Sequence, residues 1–221
     1  MTINMMHNVH NALYCSLYII ATHVVSQWFL AASSETTVWF GMHILVNLAT
    51  AWHAFPSLAL VFHGDPHIAI AHPVGHDYAP VVLAVLLHLY HCVLFRLSVD
   101  DRFHHVTFVL VMGVPSLMYA NDAVNAMLFA ISGVPGAIIY TVIVLRRLGW
   151  TNISEPRVSA LVNLLLRLPL VVWINASYLS TPTFSRPPAF VVFTQVFLST
   201  SNAIGYSLQA LVRVRQRSRK K

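Results

Sequence analysis

The segment Ala123-Val-Asn-Ala-Met-Leu-Phe-Ala-Ile-Ser-Gly-Val-Pro-Gly-Ala-Ile-Ile-Tyr-Thr-Val-Ile-Val-Leu145 contains no charged side chain. A helix of roughly 20 apolar residues is long enough to cross the hydrocarbon core of a bilayer. The pair Arg146-Arg147 follows directly, and basic residues in short loops stay on the cytoplasmic side of a membrane. The segment therefore predicts a transmembrane helix whose C-terminal end faces the cytosol.

The rest of the chain has the same character, since 57% of its 221 residues are hydrophobic and only 9% are charged. A soluble domain carries roughly 25% charged residues, which it needs to cover its surface. We therefore expect an all-α fold, a polytopic transmembrane bundle of about seven helices at 1–212, followed by a basic cytosolic tail at 213–221. The predicted spans are 11–32, 37–62, 80–98, 103–120, 123–145, 158–180 and 188–212. A re-entrant hairpin at the tight turn Asn121-Asp122 is the alternative that would reduce this count.

The basic residues predict the orientation. With the C-terminus in the cytosol, eleven of the 13 Lys and Arg residues lie at cytosolic ends, Arg186 lies outside and Arg167 lies within a span. We expect the tail to contact anionic membrane lipids and not nucleic acid, and the protein to reside in an endomembrane such as the endoplasmic reticulum. The sequon at Asn152 should then be cytosolic and unmodified. The sequence assigns no cofactor and no oligomeric state.

All 13 histidines precede residue 106. Histidine carries protons and binds metals, and in a membrane it needs a partner or a cavity. His88 and His91 lie three residues apart on predicted span three and therefore share a helix face. Three further histidines lie in spans one and two, and together these residues predict a polar interior that faces span four: His23, His43 and His53.

Two aspartates and two histidines lie at the entry to span four, in Asp100-Asp101-Arg-Phe-His104-His105-Val-Thr107. Either aspartate can cap the N-terminus of the helix. Adjacent histidines point about 100° apart on a helix, so they face different neighbours. One of them can act as a general acid or base while an aspartate holds the other.

The stretch Asp101-Arg-Phe-His104-His105-Val-Thr107 resembles the Asp-x-x-His-His motif of TLC-domain proteins, a polytopic family that includes ceramide synthases and translocation-associated membrane proteins. A weaker similarity covers 155–167. The resemblance implies lipid association, with His104 and His105 matching the paired histidines in the active region of ceramide synthases. Those enzymes also carry a later His-Asp-x-x-Asp stretch, and this chain offers only Asn121-Asp122.

We expect spans three and four to wall a lipid-accessible polar cavity that contains His91, His104 and Asp101. The candidate catalytic residues are His104, His105, Asp101 and His91. The candidate lipid or headgroup contacts are His88 and Arg167. Arg167 lies inside span six, where a charge costs roughly 2.5–3.5 kcal/mol on insertion scales, so it should face protein or water. It can hold a lipid phosphate or carboxylate, pair with Asp122, or snorkel.

Three functions remain open. The first is a TLC-like lipid-handling role, either acyl-lipid synthesis of the ceramide type or lipid binding. The second is a non-enzymatic transporter or channel, which the proline-interrupted helices and Arg167 favour. The third is a His-rich membrane metal oxygenase. The predicted topology disfavours it, because the histidines of 63–76 and those at 104–105 lie on opposite sides of the membrane, and no metal ligand set is assigned.

Overall fold

The computed structural model describes residues 2–31, 33–63, 69–70, 77–182 and 187–218. Within these residues the chain forms seven long helices and no strand, which confirms the all-α prediction. The helices are α1 Thr2–Phe29, α2 Glu35–His63, α3 Ala79–Leu94, α4 at 99–118, α5 Asp122–Arg147, α6 Glu155–Ser180 and α7 Ala189–Ser218. Of the predicted histidine-rich loop at 63–76, the structure describes only His63, at the end of α2, and residues 69–70. Arg186, which was predicted to lie on the non-cytosolic side, is not among the described residues.

Three helices contain a π-helical segment, in which the backbone makes one wider turn. These segments are Thr107–Gly113 in α4, Phe129–Gly133 in α5 and Asn163–Arg167 in α6. Each is followed within two residues by a proline: Pro115, Pro135 and Pro169. Proline lacks an N–H and its ring crowds the carbonyl four residues earlier, so the preceding turn widens. The predicted interruptions are therefore local turns within continuous helices.

The boundary between α3 and α4 differs from the prediction. Span three was expected to reach residue 98, but α3 ends at Leu94 because Phe95 is extended. Span four was expected to begin at residue 103, but α4 begins at Val99 because Ser98 and Asp101 cap its first turn. The connection between the two antiparallel helices is thus four residues long.

Helix α2 lies in the middle of the bundle and packs against α1, α3 and both halves of α5. Gly133 of α5 permits the close approach to α2, since a Cβ at this position would lie 3.2 Å from the Cβ of Ala51. Helix α5 also packs against α6, and α6 packs along α7. The residues that point outward are largely apolar and include the exposed Trp52 and Val93.

Three helices, α2, α5 and α6, are long and apolar enough to cross a membrane. Helix α3 is apolar but has only 16 residues. The fold is therefore compatible with membrane association, while a crossing by all seven helices stays a prediction.

Two of the basic residues that were predicted to share one side lie where helix ends meet. Nη1 of Arg147, at the end of α5, lies 3.4 Å from Oγ of Ser34, which precedes α2. Nη1 of Arg213 in α7 lies 3.8 Å from Oε1 of Glu155 at the start of α6. Helix α7 continues to Ser218, so the predicted start of a separate tail at 213 falls within a helix.

Candidate functional site

A cavity of about 210 Å³ lies among α2, α3, α4, α5, α6 and α7. Polar side chains from all six helices line it, and the prominent ones are His43, His88, His104, Tyr140, Arg167 and Tyr206. The polar interior predicted between spans three and four is thus present. It is wider than expected, because α2, α5, α6 and α7 also contribute to its wall.

Four histidines of α3 and α4 pair across the short connection. Nε2 of His88 lies 3.3 Å from Nε2 of His104, and Nδ1 of His91 lies 2.8 Å from Nε2 of His105. The predicted approach of His91 to the histidine pair of α4 is confirmed by the second distance. The adjacent histidines of α4 serve different partners, as their angular separation on the helix requires.

Backbone carbonyls set the protonation of three imidazoles. In each case Nδ1 lies 2.6–3.1 Å from the carbonyl oxygen four residues earlier: His43 to Trp39, His88 to Ala84 and His105 to Asp101. A carbonyl oxygen only accepts hydrogen bonds, so Nδ1 carries the proton and Nε2 of the neutral ring keeps its lone pair.

These assignments determine the remaining hydrogen bonds. Nε2 of His104 donates to Nε2 of His88, and Nδ1 of His91 donates to Nε2 of His105. In the cavity wall, the ring nitrogens left as proton acceptors are therefore Nδ1 of His104 and Nε2 of His43. His43 and His104 are thus the cavity-lining histidines that keep a ring nitrogen able to accept a proton.

The predicted catalytic set divides into two parts. His104, together with His88, lines the cavity, whereas His91 and His105 do not line it. His91 and His105 are both buried, and the ring of His91 stacks on Trp39 with centroids 3.7 Å apart. The expectation that His91 lines the cavity is therefore corrected: its position on the α3 face turns it toward Trp39 and His105.

Asp101 also lies outside the cavity wall, contrary to the prediction. Its N–H donates to Oγ of Ser98, while Oγ and N–H of Ser98 donate to its Oδ2. The hydrogen bond from the Ser98 hydroxyl lowers the pKa of this carboxyl. The capping role predicted for one of the aspartates is thus confirmed for Asp101, and its carbonyl, rather than its carboxylate, holds His105.

Arg167 faces the interior of the bundle, as predicted, and only 6% of its surface is exposed. Its Cζ lies 5.1 Å from the centroid of the Tyr206 ring. The predicted alternative pairing with Asp122 is not present. Asp122 lies at the turn between α4 and α5, where its Oδ1 accepts a hydrogen bond of 2.6 Å from Ser57 of α2.

The histidines of α1 and of the second half of α2 make contacts elsewhere. Nδ1 of His23 lies 2.7 Å from the hydroxyl of Tyr90, which links α1 to α3. Nδ1 of His53 lies 2.7 Å from Oδ2 of Asp77. Of the three histidines predicted in spans one and two, only His43 lines the cavity.

Two polar stripes contribute to the cavity, and of their residues only Arg167 had been singled out from the sequence as a site residue. One runs along α6 at intervals of four residues: Glu155, Ser159, Asn163 and Arg167. The other runs along α7 at intervals of three or four: Asn202, Tyr206, Gln209 and Arg213. Polar residues at this spacing share one face of a helix, so the pattern was readable.

No protein-family model, no curated protein and no solved structure matches the chain. The resemblance of 101–107 to TLC-domain proteins therefore stays a prediction. Among the described residues, no group of three or more His, Cys, Asp or Glu side chains is arranged to hold a metal ion.

Proposed function

We propose that this chain is a multi-pass membrane protein that handles lipids, and that the cavity receives the polar head of a lipid molecule. The observation that carries the proposal is the polar cavity, lined by His43, His88, His104 and Arg167, inside a bundle with an apolar outer surface. Ionisable side chains at membrane depth are unfavourable unless they face partners or a functional cavity. A volume of about 210 Å³ suits a headgroup whose acyl chains extend into the bilayer.

The orientation belongs to the same proposal. The basic ends of α5 and α7 lie together, and Arg213 at the cavity contributes to this end. By the positive-inside rule this end faces the cytosol, in an endomembrane such as the endoplasmic reticulum. The cavity then lies toward the cytosolic half of the bundle.

Acyl-lipid synthesis is the catalytic form of this proposal, and lipid binding is its non-catalytic form. In the catalytic form, Nδ1 of His104 takes the proton from the hydroxyl or amine of the bound lipid. The oxygen or nitrogen of that lipid group attacks the carbonyl carbon of an activated acyl group. The new ester or amide bond forms, the bond to the acyl carrier breaks, and the proton passes to the leaving group.

The test is to purify the full chain in lipid nanodiscs and identify bound lipids by native mass spectrometry. We expect the double variant His88→Ala/His104→Ala to lose a polar lipid that the wild type retains. The matched control is His23→Ala, because it removes an imidazole that pairs with Tyr90 away from the cavity. Equal lipid retention in the double variant and the wild type would contradict the proposal.

The same variants separate the two forms in cells. A changed acyl-lipid profile with His104→Ala, at normal membrane insertion, supports the enzyme, for which loss of a general base lowers the rate roughly 10²–10⁴-fold. An unchanged profile together with lost lipid binding supports the binding protein.

A transporter or channel is the second candidate, because the π-helical segments of α5 and α6 contribute Ile131, Ser132, Asn163 and Arg167 to the cavity. Interrupted helices at membrane depth are tolerated where they line such a cavity. Solute or ion flux into liposomes that contain the purified chain would support this candidate. Absence of flux together with retained lipid would favour lipid handling.

A further inference from the structure

Arg167 places a permanent positive charge in the wall of the cavity. Its guanidinium belongs to a side chain that is only 6% exposed, and its Nε has no hydrogen-bond partner among the described residues. A buried charge is strongly unfavourable when it lacks a counter-charge, and more so when hydrogen-bond donors stay unsatisfied. An anion bound beside this side chain would therefore stabilise it.

The described part of the cavity wall does not supply that anion. The carboxylate in the described wall is that of Glu155. Its Oε1 lies 3.8 Å from Nη1 of Arg213 and accepts a hydrogen bond of 3.1 Å from the hydroxyl of Ser159. The described wall thus holds two arginines and one carboxylate, and that carboxylate is already engaged by Arg213 and Ser159. The imidazoles of the wall never carry a negative charge, so they do not offset the charge of Arg167.

The surroundings of Arg167 leave its donor groups available to a ligand. The ring of Tyr206 lies 5.1 Å from Cζ, an arrangement that stabilises the guanidinium by a cation–π interaction without using its N–H groups. Asn163 lies one turn earlier on α6, also lines the cavity, and has a buried Oδ1 without a hydrogen-bond partner among the described residues. A planar guanidinium suits the paired oxygens of a carboxylate or phosphate, and Oδ1 of Asn163 can accept a hydrogen bond from a hydroxyl or ammonium group of the same head.

We propose that Arg167 forms an anion subsite in this cavity, and that the ligand is an amphipathic molecule whose head carries a carboxylate or phosphate. This inference rests on the proposed function and deepens it, since it specifies an anionic headgroup. Arg167 supplies the charge and paired N–H groups, Tyr206 orients the guanidinium, and Asn163 contacts a neighbouring polar group of the head.

The experiment uses the full chain in micelles of an uncharged maltoside detergent, to which phosphatidic acid, oleate or the neutral lipid diacylglycerol is added. Thermal unfolding and native mass spectrometry report binding. We expect phosphatidic acid or oleate, and not diacylglycerol, to raise the melting temperature of the wild type. Arg167→Gln should weaken anion binding roughly 10- to 100-fold, and Arg167→Lys less, because lysine keeps the charge but loses the planar fork. The control is Arg157→Gln, an exposed arginine on the same helix that does not line the cavity.

Unfolding without added anion separates a ligand site from a structural residue. Removing an unpaired buried charge should leave the melting temperature of Arg167→Gln equal to or above that of the wild type. A lower melting temperature, or failure to accumulate while Arg157→Gln is normal, would make Arg167 a structural residue and overturn the inference.

A further arm adds inorganic phosphate to the chain in the uncharged detergent alone, without added lipid. Arg167-dependent stabilisation by phosphate without binding of anionic lipid would support the subsite and contradict the lipid as its ligand. Retention of a neutral lipid that depends on His88 and His104 but not on Arg167 would overturn the anion subsite and leave the proposed lipid-handling role intact.

Discussion

The imidazoles of His91 and His105 form a buried pair, and neither lines the cavity. His91→Ala removes the donor to Nε2 of His105 and the stacking on Trp39. We expect it to lower the free energy of unfolding by about 1–3 kcal/mol, the range for leaving a buried acceptor unsatisfied. Thermal or denaturant unfolding of the purified protein measures this loss.

The control for this substitution is Cys92→Ala, which changes an exposed neighbour on the same helix and should be nearly neutral. Wild-type stability of His91→Ala would show that the pair does not stabilise the bundle.

Asp101 makes the stability of the bundle depend on pH in the acid range. The hydrogen bond from Ser98 holds the pKa of the folded carboxyl below its ordinary value of 3.8. The resulting stabilisation is fully present above the unfolded pKa and is lost as pH falls through the lower folded pKa. We expect Asp101→Ala to melt below the wild type at neutral pH, and the difference to narrow below about pH 4. Melting curves over a pH series test this, and a difference that does not change with pH would contradict it.

The contact between α2 and α5 shows how an element depends on a residue without a side chain. A Cβ at Gly133 would lie 3.2 Å from Cβ and 3.4 Å from Cα of Ala51, atoms that move only if α2 moves. We expect Gly133→Leu to lower stability by about 1–3 kcal/mol through overpacking. Gly205→Leu on α7 is the matched control, because nothing lies within 4 Å of a Cβ there.

The comparison of melting temperatures between these two leucine variants is decisive. Equal values would mean that the helices separate freely at this contact. Leucine at residue 205 should be neutral or slightly stabilising, because leucine has the higher helix propensity.

For the molecule as a whole, the orientation predicts the fate of the sequon Asn152-Ile-Ser154. Asn152 is exposed between α5 and α6, close to the basic end of the bundle. We expect no glycan on Asn152 when the chain is inserted into endoplasmic-reticulum membranes, because the proposed orientation places this end in the cytosol. Glycosidase treatment followed by gel electrophoresis measures it.

The positive control inserts a sequon into 64–76, which the same topology predicts to lie on the other side of the membrane. This variant should acquire a glycan. A glycan on native Asn152 would reverse the orientation and place the cavity toward the opposite compartment.

Helix positions were largely readable from the sequence, because the length of an apolar run is a local property. The run at 123–145 became α5 Asp122–Arg147, and the short connection near residue 98 correctly placed His91 beside the histidines of α4. The helix ends were less well predicted, since capping by Ser98 and Asp101 began α4 earlier than the apolar run did.

The composition of the cavity depended on which helix faces meet, and that is a property of packing between distant segments. The spacing of Asn163 and Arg167 indicates a shared face on α6, but nothing local indicates that this face meets Tyr206 of α7 and His104 of α4. Likewise, Asp101 and His104 belong to one short motif, yet only His104 lines the cavity, and Asp101 caps the first turn of α4. Local chemistry therefore identified the candidate residues, and the packing of six helices selected those that share the cavity.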